Sequence, residues 1–129
     1  MTDRRPSPPS RAVVLLVDDE EGIRDVLTLG LSRHFEIESA RSADEAELML
    51  ATREFDVVVC DHLMPDEEGL PFLIRARSRF PKVQRILLTG YVNPELLSRS
   101  KDLAGLAAVL TKPVAIDELV EAIRMVLPR

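Results

Sequence analysis

The chain has 129 residues, 46% of them apolar and 30% charged, which is enough for one globular core and too little for two ordinary domains. With 17 basic against 22 acidic residues the net charge is −5, which argues against a protein built to coat nucleic acid or an anionic membrane. The single cysteine, Cys60, excludes an internal disulfide framework or a zinc site of several thiolates, and no apolar run approaches the roughly 20 residues that span a bilayer.

The first ten residues, M-T-D-R-R-P-S-P-P-S, hold three of the nine prolines and no large apolar residue after Met1. Such a composition cannot offset its own ordering entropy, so residues 1–10 are predicted to be a flexible tail and residues 11–129 a folded domain. The tail also lacks the apolar stretch of a secretory signal, so a cytoplasmic location is expected. Residues 1–11 carry a net +2, which leaves the other 118 residues at −7.

From Ala12 onward strands and helices alternate. The run Ala12–Val17 is short and rich in branched residues, as in a buried strand. Ile23, Val26, Leu27, Gly30 and Leu31 then recur at helical spacing. A weaker strand follows over about Phe35–Ala40. Ser42-Ala43-Asp44-Glu45 has the form of a capping box, and the helix it opens should run to about Arg53 with Ala46, Met49 and Leu50 facing inward. Asp56–Cys60 is a third strand, and a third helix begins near Pro71 and stops near Phe80-Pro81. Arg85–Thr89 is a fourth strand; Asn93-Pro94-Glu95 opens a short helix to about Lys101. Ala107–Thr111 is a fifth strand, ended by Lys112-Pro113, and the last helix sets Ile116, Leu119, Val120, Ile123 and Val126 on one face. Five such pairs over about 115 residues define an α/β fold, a doubly wound parallel sheet covered on both faces.

In an open parallel sheet, ligands bind beyond the carboxyl ends of the strands. Those ends carry Asp18-Asp19-Glu20-Glu21 after the first strand, Asp61 after the third, Thr89-Gly90 after the fourth and Lys112-Pro113 after the fifth. The second ends in Ala40-Arg41 and adds nothing acidic. Converging carboxylates repel one another, and a hard divalent cation such as Mg²⁺ relieves that conflict. Asp18, Asp19 and Asp61 are therefore a candidate Mg²⁺ site, with Thr89 and Lys112 available for phosphoryl oxygens. A carboxylate can itself be the nucleophile and form an aspartyl phosphate.

Taken together, V-D-D-E, D-H-L-M-P with Gly69 eight residues after Asp61, L-L-T-G and T-K-P resemble the receiver domain of two-component response regulators, over about Arg11 to Leu127. The resemblance implies a flavodoxin-like five-stranded sheet in the order 2-1-3-4-5 with five helices. It implies Asp61 as the phosphoacceptor, supplied by a histidine kinase or a histidine phosphotransfer protein. Asp18, Asp19 and Asp61 would hold Mg²⁺ with the backbone carbonyl of Leu63. Thr89 would be the switch hydroxyl and Lys112 the phosphoryl-pairing ammonium, with a cis Lys112-Pro113 bond. Output would pass to a downstream protein, or to a second copy, through the fourth helix, fifth strand and fifth helix, without direct contact with nucleic acid or membrane.

Two positions depart from the family. Val109 stands where receivers usually carry Tyr or Phe, and Gly90 where Ala is common. Neither touches the phosphoryl chemistry; both alter the route by which a signal would leave. A receiver-like binding module independent of phosphorylation is the alternative. An aspartyl-nucleophile phosphatase is disfavoured, because Leu63 stands where such enzymes usually place their acid–base Asp. Elsewhere, Cys60 reads as inert packing, His62 as an exposed bystander, His34 as surface, and Glu67-Glu68 as a solvated acidic rim. The bulk of Leu63 and Tyr91 beside the site predicts slow hydrolysis of the phosphorylated form. One receiver and a tail fill the 129 residues, so the expected output is by contact alone.

Overall fold

The structure is a computed structural model that describes residues 11–62, 64, 68–90 and 93–128. The predicted tail, the Leu63 carbonyl, Glu67 and Tyr91 lie outside the described residues. Five strands and five helices alternate as β1 (Val13–Val17), α1 (Glu21–Leu31), β2 (Glu36–Ala40), α2 (Ala43–Thr52), β3 (Val57–Asp61), α3 (Gly69–Arg79), β4 (Gln84–Thr89), α4 (Pro94–Ala104), β5 (Ala108–Thr111) and α5 (Ile116–Val126). All four pairings are parallel and the sheet order is β2-β1-β3-β4-β5, as the resemblance implies. Among the described residues no helix is long and apolar enough to cross a membrane.

The alternation of side chains along each strand builds two cores. Val14, Leu16, Val57, Val59, Ile86 and Leu88 face α1 and α5, where Leu27, Leu31, Leu119 and Ile123 meet them. Leu15, Val17, Val58, Cys60 and Leu87 face the opposite layer, where they meet Ala46 and Leu50 of α2, Phe72 and Leu73 of α3 and Ala104 of α4. Strands buried on both faces need apolar residues at every position, which is why β1 and β3 read as unbroken runs rather than as alternating ones.

Three boundaries differ from the sequence reading, each for a local reason. At α2, Ser42 Oγ accepts from the Glu45 amide at 3.1 Å as predicted, but Glu45 Oε1 accepts from the Arg41 amide at 2.7 Å rather than from that of Ser42. The cap therefore spans one residue more than a reciprocal box. The third helix begins at Gly69, which puts Pro71 inside its first turn, where a missing N–H costs nothing. And α4 runs on to Ala104, beyond the predicted end at Lys101. Its stop is Gly105 (φ +59°), whose N–H reaches Asp102 O at 3.4 Å while the Leu106 N–H reaches Lys101 O at 2.9 Å, the two bonds of a Schellman ending.

The ring of Phe72 is wholly buried in the core between β3, β4 and the α2–α4 layer. Phe72→Ala is expected to lower the unfolding free energy by about 3–5 kcal/mol in urea titration, with little change in the m-value, because it empties a volume that the surrounding sheet cannot collapse to fill.

Candidate functional site

The carboxyl edge of the sheet brings together what the sequence scattered over 95 positions. The strand pairing fixes the geometry: Val17 stands opposite Cys60, Asp61 opposite Leu88, and Thr89 opposite Thr111. Asp18 thus follows β1 beside Asp61 at the end of β3, with Thr89 at the end of β4 and Lys112 just after β5. One carboxylate oxygen from each of Asp18, Asp19 and Asp61 lies within 4.8 Å of the others. Asp18 is 1% exposed and Asp61 6%, so two of the three are removed from bulk water. Lys112 Nζ donates to Asp61 Oδ1 at 2.6 Å, and the Lys112-Pro113 bond is cis.

Backbone contacts hold these groups in place. The Asp18 N–H continues the β1–β2 ladder to Ala40 O at 3.1 Å, Asp18 Oδ1 accepts from the Glu20 N–H at 2.9 Å, and Asp18 O accepts from Arg24 at 2.8 Å. The His62 N–H donates to Leu88 O at 2.8 Å and the Lys112 N–H to Thr89 O at 2.8 Å, which tie the ends of β3 and β5 to β4. The Gly69 N–H reaches His62 O at 2.7 Å, which ties the start of α3 to the residue after Asp61. A Cβ built on Gly69 would stand 2.2 Å from the Asp61 carbonyl oxygen, so only glycine fits without moving the Asp61 backbone.

Burial is the main cause that lifts the Asp18 pKa above the ordinary carboxylate range; the Glu20 amide opposes it, the Asp61 and Asp19 charges add to it, and Lys112 offsets part. For Lys112, burial favours the neutral amine, but the hydrogen bond and charge of Asp61, with Asp18 and Glu20, outweigh it and raise the pKa. The ammonium is thus a fixed cation at neutral pH. The donor set fits a hard divalent ion: oxygen ligands only, excess negative charge, and an open rim at Asp19 and Glu20 that leaves room for waters.

Thr89 is 1% exposed on the last position of β4. Cys60 is buried, as expected, with Sγ 3.3 Å from Asp61 O. His62 corrects the sequence reading: it is 7% exposed, not a solvated bystander, and its backbone N–H continues the β3–β4 ladder to Leu88 O. His34 is half-buried rather than plainly surface, with Nδ1 3.0 Å from an Arg124 guanidinium nitrogen. Val109 packs beside the α2–α4 core opposite Leu87. Two residues escaped the sequence reading. Arg24 was only the polar side of a helix until its bond to Asp18 O appeared. Arg85 was counted as a strand residue, although a cation opening an apolar run was the available signal.

Beside the acidic cluster lies a groove of about 470 Å³ whose apolar wall is Ile23, Val26, Leu27, Pro113 and Val114. Ile23 and Val26, which recur with Leu27 and Leu31 at helical spacing, are 40% and 63% exposed, since α5 covers only the Leu27–Leu31 side of α1.

Residues 14–124 match the family model of the response regulator receiver domain. The chain is 35% identical over 114 residues to the hydrogenase transcriptional regulatory protein HoxA of Cupriavidus necator, covering 88% of this chain and 24% of that protein. The signal receiver domain of an HD domain-containing protein from Pseudomonas fluorescens is similar in structure at 34% identity and a TM-score of 0.82, over 89% of this chain and 93% of that one. The chemotaxis protein CheY4 of Vibrio cholerae is similar at 29% identity and a TM-score of 0.84, over 92% and 100% of the two chains. The chain belongs to the receiver domains of two-component response regulators. It spans about a quarter of the length of the curated relatives first among those it matches.

Asp18 titrates high in the folded chain and normally in the unfolded one. Its ionised form therefore opposes folding above the folded-state pKa, and this cost vanishes below the unfolded-state pKa. In metal-free buffer Asp18→Asn is expected to be more stable than wild type at pH 7, with the gap closing as pH falls toward about 4 in urea melts. A gap that stays constant with pH would refute the assignment of strain to this carboxylate. Gly69→Ala should lose about 1–3 kcal/mol in the same assay, from the forced shift of the Asp61 backbone.

Proposed function

We propose that this receiver accepts a phosphoryl group on Asp61 and uses the added charge to change its contacts with another protein. The observation that carries this reading is the buried cluster of Asp18, Asp19 and Asp61 with Lys112 Nζ 2.6 Å from Asp61. In the transfer, an Asp61 carboxylate oxygen attacks phosphorus, an O–P bond forms, and the N–P bond of the phosphohistidine donor breaks with its electron pair left on the imidazole. Lys112, already paired with Asp61, passes to a phosphoryl oxygen and neutralises part of the developing charge. Asp18 and Asp19 would hold Mg²⁺ together with Asp61, and the resemblance adds the Leu63 carbonyl, outside the described residues, as a further protein ligand. When bound, the ion supplies charge neutralisation and a fixed seat for phosphoryl oxygens. Gly69 keeps the Asp61 backbone where the carboxylate meets both partners.

The added charge, about −1.5 to −2 for a phosphate ester, draws in the Thr89 hydroxyl and biases an existing equilibrium in α4, β5 and α5. The phosphodonor is a histidine kinase or a histidine phosphotransfer protein, and the apolar groove between α1 and Pro113-Val114 is where a helical donor surface would rest. The output passes through the α4–β5–α5 face to a downstream protein or to a second copy, with no direct nucleic-acid or membrane contact and in the cytoplasm. Residues 11–129 are the folded receiver and residues 1–10 its tail. Receiver chemistry of this kind makes the chain a signalling phosphoacceptor rather than an enzyme with a separate substrate.

Incubating the chain with acetyl phosphate and Mg²⁺ tests this. Intact mass should rise by one phosphoryl group in wild type and not in Asp61→Asn, and chelation of Mg²⁺ should prevent it. Lys112→Ala should slow the gain by at least about tenfold, as for loss of one transition-state charge contact. Thr89→Ala should still accept the group. Equal labelling of Asp61→Asn, or none in wild type, would instead favour a binding module that works without phosphorylation. Tyr91→Ala should shorten the life of the phosphorylated form if bulk beside the site excludes water.

A further inference from the structure

Asp18 is fixed from three directions. Its N–H closes the β1–β2 ladder on Ala40 O at 3.1 Å, and its Oδ1 accepts from the Glu20 N–H at 2.9 Å. Its carbonyl lies past Val17, the last β1 residue in register with β3, and there it accepts from Arg24 Nη1 at 2.8 Å. Arg24 belongs to the first turn of α1, and its own N–H bonds to Glu20 O at 3.0 Å. The half-buried Arg24 side chain therefore reaches back from the helix and closes a ring over residues 18–24. Glu20, the N-cap of α1, makes no side-chain cap bond among the described residues, so the order of this corner comes from Asp18 and Arg24.

What the Arg24 bond controls is the direction in which the chain leaves the sheet, because a peptide unit is planar. Once Arg24 sets Asp18 O, the N–H and Cα of Asp19 are set with it. Asp19 depends on this more than the other two acids do. Asp18 and Asp61 are 1% and 6% exposed and are carried by a ladder bond and by the end of β3. Asp19 is only half-buried and comes one residue later, yet its oxygen meets the other two within 4.8 Å.

The partner that Arg24 has is as telling as the bond itself. The guanidinium stands within six residues of Asp18, Asp19, Glu20, Glu21 and Asp25. A fork-to-fork pair with one of those carboxylates would take its oxygens away from an ion. Donation to a carbonyl orders the corner and leaves the carboxylate oxygens to face a cation.

We infer that Arg24 is a positioning residue for the cation site: its bond to Asp18 O aims the Asp19 carboxylate and so sets the affinity for Mg²⁺. The inference rests on the reading that Asp18, Asp19 and Asp61 hold Mg²⁺, and it adds a residue that touches neither the ion nor the phosphoryl group. Charge and position here predict opposite signs. A cation beside the cluster repels a second cation, so by charge alone the loss of Arg24 would tighten Mg²⁺ binding. Loss of an aimed ligand weakens it.

Titration of MgCl₂ into the ¹⁵N-labelled full chain, followed by amide shifts, decides between them. Arg24→Met keeps the apolar stem, and Arg24→Gln keeps a polar tip on a stem too short to reach Asp18 O. Both replacements are good helix formers, which protects α1. Each should raise the Mg²⁺ Kd by about tenfold, as for loss of an outer partner of a metal ligand. Arg24→Lys, which retains a cation and a donor, should fall between these variants and wild type. Without metal, the Glu20 amide should exchange with solvent faster in Arg24→Met, while the amides of Leu15 and Leu16 inside β1 should not. A residue that merely props the fold would shift the urea midpoint and leave the Mg²⁺ affinity of the folded chain unchanged. Affinity unchanged or tightened in both Arg24→Met and Arg24→Gln would overturn the inference. In the same samples, the Mg²⁺ concentration for half-maximal labelling by acetyl phosphate should rise by the factor seen in Kd. Wild type that binds Mg²⁺ without being labelled would sink the phosphoacceptor reading, while the titration would still decide Arg24. Wild type that binds no Mg²⁺ would overturn both.

Discussion

The convergence of carboxylates at one sheet edge is the constraint on which the rest of the site depends. Asp18 and Asp61 are nearly excluded from water, and with Asp19 their oxygens crowd within 4.8 Å. Nothing about burial favours that arrangement; the raised pKa of Asp18 records the opposition. It persists because Lys112 lends one charge and because the strand ends are fixed by ladder bonds that do not depend on the carboxylates. Stability has been exchanged for readiness: a site that repels itself gains most from whatever cation enters it.

Each end of the sheet has its own task. At the carboxyl edge the side chains after β1, β3, β4 and β5 meet, since parallel strands all deliver their ends to the same side. At the opposite edge, Arg85 and the α4–β5 turn knit helix to sheet. The helix α4 joins these two regions, and at its C-terminal end the Arg77 and Arg85 guanidinium groups donate to its last backbone carbonyls.

Much of this architecture is legible in the sequence, and the parts that are not share a common cause. The strands and the carboxylate set can be read because each depends on residue type at short range: branched apolar runs, then an acid, a hydroxyl or a lysine at the break. The extra turn of α4 escapes such a reading because helical spacing fades after Lys101 while Gly105 acts through a positive φ that periodicity does not encode. The burial of His62 escapes it because a polar residue after a strand gives no hint that its backbone bonds onward to Leu88. Arg24 and Arg85 escape for the same reason: their partners are backbone carbonyls, which have no sequence signature.

The alternation along β4 has a consequence for how the chain finds its register. A slip of one residue would turn Arg85 and Thr89 into the apolar layer beneath α1 and α5, and would leave Ile86 and Leu88 facing α4. The displaced guanidinium would lose every carbonyl it now serves, at a penalty of several kcal/mol. An all-aliphatic strand of the same length would pair almost equally well in either phase. Two polar residues four apart thus act as a key cut on one side, and the strand enters the sheet one way round.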